Sequence, residues 1–219
     1  MPQSKTAKQI LIAAESLFAS QGFAETTMRE ITREAGVNLA AINYHFGSKQ
    51  GLIQSVAEKF LRPFSEYIEQ SIVESNAIGN QQDVSLEELL ELLMRALLRV
   101  DQENINALLM FTRLLELSYK NSQQELRHFI IGRYGAKLQP FIALFRRHSA
   151  MMEDDEFFWR LHFILGSVIF TLSHFTMLAQ MEKKQFKTQA AIEQTLHRMI
   201  PVLAAGMQAR GDKLYFSRI

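Results

Sequence analysis

The sequence has no cysteine, only four prolines and ten glycines among 219 residues, and almost no net charge. Without cysteine the chain cannot form a disulfide, a thiolate metal site or a cysteine nucleophile, and a reducing compartment is the simplest expectation. The formal charge of +1 and the hydrophobic share of 47% are typical of a folded protein and exclude a disordered or polycationic chain. A nucleic-acid function would therefore require a local basic surface.

The sequence also has little that suggests export or membrane insertion. Residues 1–8 are polar and lack the apolar run of a signal peptide, which predicts a cytoplasmic protein. The most apolar stretch, residues 163–179, is shorter than a membrane-spanning helix and contains Ser167, Ser173 and His174. We therefore expect a buried helix in this stretch and no membrane partner.

The apolar residues recur mainly at spacings of three and four, with little alternation, and this periodicity predicts an all-α fold. A first helix is expected at about residues 4–20. Thr27 with Glu30 forms a capping box that starts a second helix, and Gly36 suits the left-handed cap that ends it. Asn38 and Ser48 can cap the next two helices. The later predictions are helix 49–60, helix from Pro63 to about 73, loop 76–83, helices 86–100, 104–120, 123–148, 155–181 and 188–209, and a loosely ordered tail 210–219.

Residues 27–46 have the spacing of a helix-turn-helix, with Gly-Val-Asn as the turn. Ile31, Ala35, Val37, Ile42 and Phe46 supply its apolar contacts. The remaining side chains of the second helix then face outward, and these are Ala40, Ala41, Asn43, Tyr44 and His45.

The outward side chains suit a DNA major groove. Alanines permit close approach to the bases, and an asparagine such as Asn43 can pair with both edges of an adenine. Tyr44 and His45 can contact phosphates, and so can Lys49 at a helix start. Taken singly, each of these residues is more simply a packed aromatic or a solvated charge. The complete set of predicted DNA contacts is Thr27, Arg29, Asn38, Leu39, Ala40, Ala41, Asn43, Tyr44, His45 and Lys49.

The run from Gly36 to Lys49, GVNLAAINYHFGSK, resembles the DNA-binding signature of the TetR family of transcriptional regulators, and Leu17, Phe18, Gly22, Phe23, Thr26 and Thr27 resemble the helices before it. The resemblance covers about the first 55 residues. It implies a three-helix DNA-binding head, residues 1–48, joined to a helical ligand-binding and dimerisation body, residues 49–209.

This chain departs from the family at Asn43, where a tyrosine is usual, so a base contact replaces a common phosphate contact in our interpretation. The residues 38–49, with Phe60-Leu61 and Pro63-Phe64 downstream, are most similar to the fatty-acid-responsive PsrA-type members. That similarity implies a long-chain fatty acid or acyl-CoA as effector.

The resemblance also implies an effector cavity in the body. Arg113, Arg133, Arg160 and His162 are candidate partners for a carboxylate, and Arg113 is preferred because it interrupts the apolar run 108–117. Core packing alone is the alternative for the apolar candidates. The predicted ligand-binding residues are Phe111, Arg113, Leu114, Trp159, His162, Phe163, Phe170, Phe175 and Met177.

The last two predicted helices carry wide apolar faces with small residues, among them Gly166, Ser167, Ala204, Ala205 and Gly206. Two such helices per subunit predict a four-helix interface and a homodimer. A two-fold dimer predicts an inverted-repeat operator in double-stranded DNA. The expected function is a repressor that a small apolar effector releases from this operator.

Two other classes of protein are alternatives to a regulator. An enzyme is disfavoured because there is no phosphate-binding glycine loop, no His-Glu-x-x-His motif and no clustering of the six histidines, so no catalytic residue, cofactor or metal site is predicted. The acids at 153–156 read as a helix start. An apolar-ligand carrier with a merely structural head remains an alternative, although it would not need Asn43, Tyr44, His45 and Lys49 all facing outward.

Overall fold

The computed structural model describes residues 4–77, 84–101 and 107–209. These ranges form ten α-helices and one 3₁₀ turn, and they contain no strand, which confirms the all-α prediction. The elements are α1 (Lys5–Gln21), α2 (Met28–Ala35), α3 (Leu39–Phe46), α4 (Lys49–Ala77), α5 (Leu86–Asp101), α6 (Ala107–Ser118), the 3₁₀ turn (Asn121–Gln123), α7 (Gln124–His148), α8 (Asp154–Ser173), α9 (Phe175–Phe186) and α10 (Ile192–Gln208).

Local capping signals place the first three helices within a residue or two of their predicted bounds. The side chain of Ser4 accepts a hydrogen bond from the Ala7 amide, and that of Asn38 accepts one from the Ala41 amide. Thr27 and Glu30 form the predicted capping box. Gly36 ends α2 in the left-handed region at φ 64° and ψ 33°, a conformation that glycine adopts without steric cost.

Two predictions about the longer helices were wrong. The predicted break between a helix ending near residue 60 and one starting at Pro63 is absent, because α4 continues through Pro63. The buried side chains Leu61, Phe64 and Ile68 form one apolar stripe across this position. The stretch 163–179 is not one buried helix. It divides at His174 into α8 and α9, and several of its large apolar side chains are exposed.

Within the described ranges no single helix is long and apolar enough to cross a membrane. The helices α8 and α9 meet that length and composition test only as a pair, which is bent by 72° at the break between them. The predicted tail 210–219 and most of the predicted loop 76–83 lie outside the described residues.

The chain forms two compact units. The first comprises Met1–Phe64 and Val100–Ala136, and the second comprises Ser65–Arg99 and Lys137–Ile219. In the first unit α1 packs against α2, α3 and α6. In the second unit α8 packs against α9 and α10. The boundary predicted at residue 48 concerns DNA binding and stays a prediction.

The core of the first unit explains how α3 is held. Ile10, Ala14 and Phe18 of α1 are completely buried, as are Ile31 of α2 and Ile42 of α3. Burial of a side chain such as isoleucine or phenylalanine stabilises the fold by about 1.5–3 kcal/mol. One face of α3 is therefore fixed against α1, and the opposite face is left free for contacts with a partner.

Gly51 allows the close turn between α3 and α4. A Cβ atom at this position would lie 2.1 Å from the carbonyl oxygen of Phe46, which is backbone and cannot move aside cheaply. The Gly51 amide also donates to the Ser48 hydroxyl at 3.0 Å. The junction that positions the start of α4 therefore requires glycine.

We expect Gly51→Ala to destabilise the protein by about 1–3 kcal/mol, the usual cost of overpacking. The matched control is Gly132→Ala in the exposed middle of α7, where an added Cβ meets nothing within 4 Å. This control should gain about 0.5–1 kcal/mol, because alanine is the better helix former. Urea unfolding of the full chain measures both changes, and equal stabilities of the two variants would contradict the assignment.

Candidate nucleic-acid interface

The helices α2 and α3 are joined by three residues, Gly36, Val37 and Asn38. The Gly36 amide donates to the carbonyls of Thr32 and Arg33, and the Val37 amide donates to that of Thr32, so the end of α2 is hydrogen-bonded. Asn38 then caps α3. The result is a helix-turn-helix in which backbone groups at the end of α2 and at the start of α3 have hydrogen-bond partners within the turn.

The outer face of α3 is as predicted at most positions. Tyr44 is 86% exposed and Leu39 is 46% exposed. Asn38, Ala40 and Asn43 are also exposed, whereas Ala41 and His45 are half-buried. Asn43 and Tyr44 are therefore adjacent exposed polar side chains on the helix that a major groove would receive.

His45 is less outward than predicted, because it contacts the start of α1. Its Nε2 atom lies 3.4 Å from the hydroxyl of Ser4, the residue that caps α1. The imidazole also packs edge-on against the Tyr44 ring, with ring centroids 5.0 Å apart. His45 therefore ties α3 to α1 and supports the Tyr44 ring from one side. The sequence analysis predicted neither the capping role of Ser4 nor this contact.

Thr27 and Arg29 stand at the start of α2, and both are exposed. The Glu30 carboxylate accepts hydrogen bonds from the Thr27 amide at 2.7 Å and from the Thr27 hydroxyl at 2.8 Å. These two donors hold the pKa of the Glu30 carboxyl below its usual value. Because Thr27 is already engaged by Glu30, the geometry favours Arg29 as the phosphate contact at this helix end.

Lys49 stands at the start of α4 and is half-buried. Its ammonium donates to the carbonyl of Ala24, in the loop between α1 and α2, at 3.4 Å. Burial lowers the pKa of Lys49, and the nearby Glu25 and Glu30 oppose that shift. The ammonium has three donors, so a contact with a DNA phosphate remains available to it. The contact with Ala24 was not predicted.

The predicted ligand-binding residues are divided between the two units. Phe111, Arg113 and Leu114 belong to the first unit. Phe111 and Leu114 are buried there, and the ring centroids of Phe111 and Phe64 are 5.0 Å apart. The other six belong to the second unit. His162 and Phe175 are half-buried, and the side chains that are at least half exposed are Trp159, Phe163, Phe170 and Met177.

Each candidate partner for a carboxylate already bonds to the protein. Arg113 donates to the carbonyls of Phe18 and Ala19 at the end of α1. Arg133 pairs with Glu58 at 3.1 Å, and Arg160 pairs with Glu156 at 2.7 Å. The Nδ1 atom of His162 lies 2.7 Å from the carbonyl oxygen of Phe158. Among the described residues, no three histidine, aspartate or glutamate side chains are grouped to hold a metal ion.

A short helix with exposed asparagine and tyrosine, held by a helix-turn-helix with a basic side chain at its edge, defines a DNA-binding protein. Two family models match the chain. "Bacterial regulatory proteins, tetR family" matches residues 10–56, and "Tetracyclin repressor-like, C-terminal domain" matches residues 91–206, more than half of the chain. The chain belongs to the TetR family of DNA-binding transcriptional regulators, which is not a family of enzymes.

Individual relatives agree with this assignment. The transcriptional dual regulator CecR of Shigella flexneri is 26% identical over 210 residues, which are 93% of each chain. The probable regulator YttP of Bacillus subtilis is 38% identical over 64 residues, only 29% of this chain and 31% of that protein. The regulator TtgR of Pseudomonas putida is 41% identical over 54 residues, 25% of this chain and 26% of that protein.

Solved structures show the same fold. A putative TetR-family regulator from Shewanella sp. PV-4 has a TM-score of 0.60 and 22% identity, with 94% of this chain and all of that chain covered. The fatty acid degradation regulator FadR from Bacillus halodurans has a TM-score of 0.57 and 17% identity, with 96% and 100% covered. At these identities the likeness concerns the fold alone.

Proposed function

We propose that the protein is a repressor that binds an inverted-repeat operator as a homodimer and is released by a small apolar effector. The observation that carries the DNA-binding part is the outer face of α3, where Asn43 and Tyr44 are exposed beside the half-buried His45. Lys49 lies at the edge of the same helix-turn-helix and supplies a positive charge. Base contacts specify a sequence and phosphate contacts position the protein, and this face offers groups for both tasks.

Within this face we assign different roles to neighbouring residues. Asn43 has both a donor and an acceptor, as bidentate recognition of adenine requires. Tyr44 is the most exposed large side chain of α3, and its phenol hydroxyl is available to contact a phosphate. Arg29 and Lys49 flank α3 from the starts of α2 and α4. The proposed footprint is therefore a base contact at Asn43 with phosphate contacts on either side.

Operator binding is expected to depend on Tyr44 and Lys49. With an operator selected from random duplex DNA, Tyr44→Ala and Lys49→Ala should each weaken binding about tenfold. Only Lys49→Ala should also lower the dependence of log affinity on log salt, by about 0.9, because a lysine neutralises a phosphate charge and an uncharged phenol does not. Lys184→Ala, an exposed lysine of α9, is the control and should change neither. A gel-shift titration at several salt concentrations measures these values.

Absence of any specific operator for the wild-type protein would leave the apolar-ligand carrier as the better reading. Wild-type affinity in both variants would contradict the docking of α3. A reporter gene placed behind the selected operator tests the sign of regulation, since a repressor should lower its expression.

The homodimer is proposed from an apolar surface on the second unit. We call this surface the α8–α9 face and define it as Trp159, Phe163, Gly166, Phe170 and Met177. The first four follow one another at spacings of four, three and four, so they form one stripe along α8. The opposite side of α8 is already buried within the unit, through Ile164, Val168 and Leu172.

The exposure of this face is too large for a surface that stays in water. Trp159, Phe163 and Phe170 are 57%, 65% and 55% exposed, and Met177 is 50% exposed. An added Cβ at Gly166 meets nothing within 4 Å, so a second helix can approach the backbone there. Regulators of this family typically dimerise. A second copy of the chain is therefore the occupant we propose, with the two α8 stripes packed across a two-fold axis.

The dimer is expected to be sensitive to charge on this face. Phe163→Glu should convert the protein to a monomer at micromolar concentration, because a carboxylate cannot be buried without a partner. Ile131→Glu is the matched control, since Ile131 of α7 is also 65% exposed but lies in the other unit. Sedimentation equilibrium distinguishes the two. A monomeric wild-type protein, or the same effect from both substitutions, would contradict the interface.

The effector is proposed to be a fatty acid or acyl-CoA. The proposal rests on the similarity of residues 38–49 to the fatty-acid-responsive members, and the likeness to FadR of Bacillus halodurans, a fatty acid degradation regulator by name, is consistent with it. An acyl chain gains about 0.8 kcal/mol for each buried methylene, so a long chain can supply the roughly 5.5 kcal/mol of differential affinity that a full switch requires.

Native mass spectrometry is expected to find oleate bound to the folded protein, and added oleate should release the operator in a gel shift. Acetate is the control, because it has the same carboxylate without the acyl chain and should do neither. Absence of bound oleate together with unchanged operator binding would exclude a free fatty acid as effector.

A further inference from the structure

Arg113 connects α6 to the last turn of α1, about ninety residues away in the sequence. Its Nη1 atom donates to the carbonyl of Phe18 at 3.1 Å and also to the carbonyl of Ala19. Both carbonyls are among the last four of α1, which receive no hydrogen bond from an amide within the helix. The Phe18 carbonyl also accepts a hydrogen bond from the amide of Gly22, the residue that follows α1. A guanidinium at this end of a helix is favoured by the negative end of the helix dipole.

The other end of α1 is connected to the recognition helix. Ser4 caps α1 through the Ala7 amide, and its hydroxyl lies 3.4 Å from the Nε2 atom of His45 on α3. Between these ends, α1 packs directly against α2 and α3. One helix therefore bonds to α6 at its C-terminal end and to α3 at its N-terminal end, all within the first compact unit.

We infer that Arg113 is a positioning residue for operator binding, which fixes α1, and with it the recognition helix, relative to α6. This inference rests on the proposed function. It replaces the ligand-binding role that the sequence favoured for Arg113, because the guanidinium is half-buried and directed at backbone carbonyls of α1. In a dimer, freedom of α1 relative to α6 becomes freedom in the separation of the two heads.

The chain provides a close control for this inference. Arg127 of α7 also donates through Nη1 to two backbone carbonyls, that of Ser118 at the end of α6 at 2.6 Å and that of Lys120, just after α6, at 2.9 Å. It belongs to the same unit as Arg113 but bonds to the end of α6 and not to α1. Substitution of Arg127 therefore removes a comparable helix-end contact but leaves the contact between α6 and α1 in place.

The experiment compares Arg113→Gln with Arg127→Gln in the full-length protein, using operators whose half-site spacing is natural or changed by one base pair. We expect Arg113→Gln to lower affinity for the natural operator about tenfold and to reduce the preference for natural spacing at least threefold. Arg127→Gln should keep the wild-type preference. Arg113→Lys should restore part of the affinity and of the preference, because an ammonium can still donate to a carbonyl, and it also serves if Arg113→Gln fails to fold.

Equal affinity and equal spacing preference for the Gln variants of Arg113 and Arg127 would overturn the inference. A variant that keeps normal affinity and spacing preference but no longer responds to oleate would return Arg113 to the ligand-binding role.

A second measurement separates this inference from the proposed function. Amide hydrogen exchange over residues 14–22 should be faster in Arg113→Gln than in the wild type, and unchanged in Arg127→Gln. If the wild-type protein binds no operator, the proposed function is wrong, and Arg113 has no role in operator binding. The exchange result then decides whether Arg113 fixes the end of α1 at all, and unchanged exchange would remove that role too.

Discussion

The structure depends on how the carbonyl oxygens at the ends of its helices find hydrogen-bond donors. Each helix leaves four such carbonyls without an intrahelical partner, and a chain with ten helices in its described ranges has many. Arginine side chains from other helices or turns supply several of the missing donors. They are Arg113 to the end of α1, Arg127 to the end of α6, and Arg160 to the carbonyls of Gly206 and Met207 at the end of α10.

These contacts do more than satisfy the backbone, because each one joins two parts of the chain at a defined point. Arg160 is 8% exposed and is also paired with Glu156, so it attaches the end of α10 to α8 without leaving an unpaired buried charge. Arg113 does the same between α6 and α1. A guanidinium is suited to this task because it carries five donors in a rigid plane and remains charged at any physiological pH. The orientation of the recognition helix thus depends on packing and on polar contacts that begin outside the DNA-binding head.

The two functional surfaces of the molecule differ in what they leave unsatisfied. On α3 the exposed Asn43 and Tyr44 carry polar groups, which water can hydrogen-bond and which we propose to contact bases and phosphates. On α8 the exposed Trp159, Phe163 and Phe170 are aromatic, and an exposed apolar stripe of this kind is typical of an interaction surface. The residues that we first expected to line an effector cavity include these three. Their exposure in one chain is better accounted for by a second copy than by a ligand.

The helix-turn-helix could be predicted from the sequence alone, since its signals are local. The capping box of Thr27 and Glu30, the left-handed Gly36 and the cap at Asn38 each act within a few residues of themselves. Periodicity likewise identified the buried Ile31 and Ile42. These features, with the family signature, were sufficient to identify the exposed Asn43 and Tyr44.

The sequence did not predict which distant residues meet. The contacts of His45 with Ser4, of Lys49 with Ala24 and of Arg113 with Ala19 span 41, 25 and 94 positions. No periodic pattern encodes such a pair, because an arginine that interrupts an apolar helix can serve equally as a ligand contact, an ion-pair partner or a helix cap. The choice between these roles follows from where the other helices end, and that is a property of the folded chain.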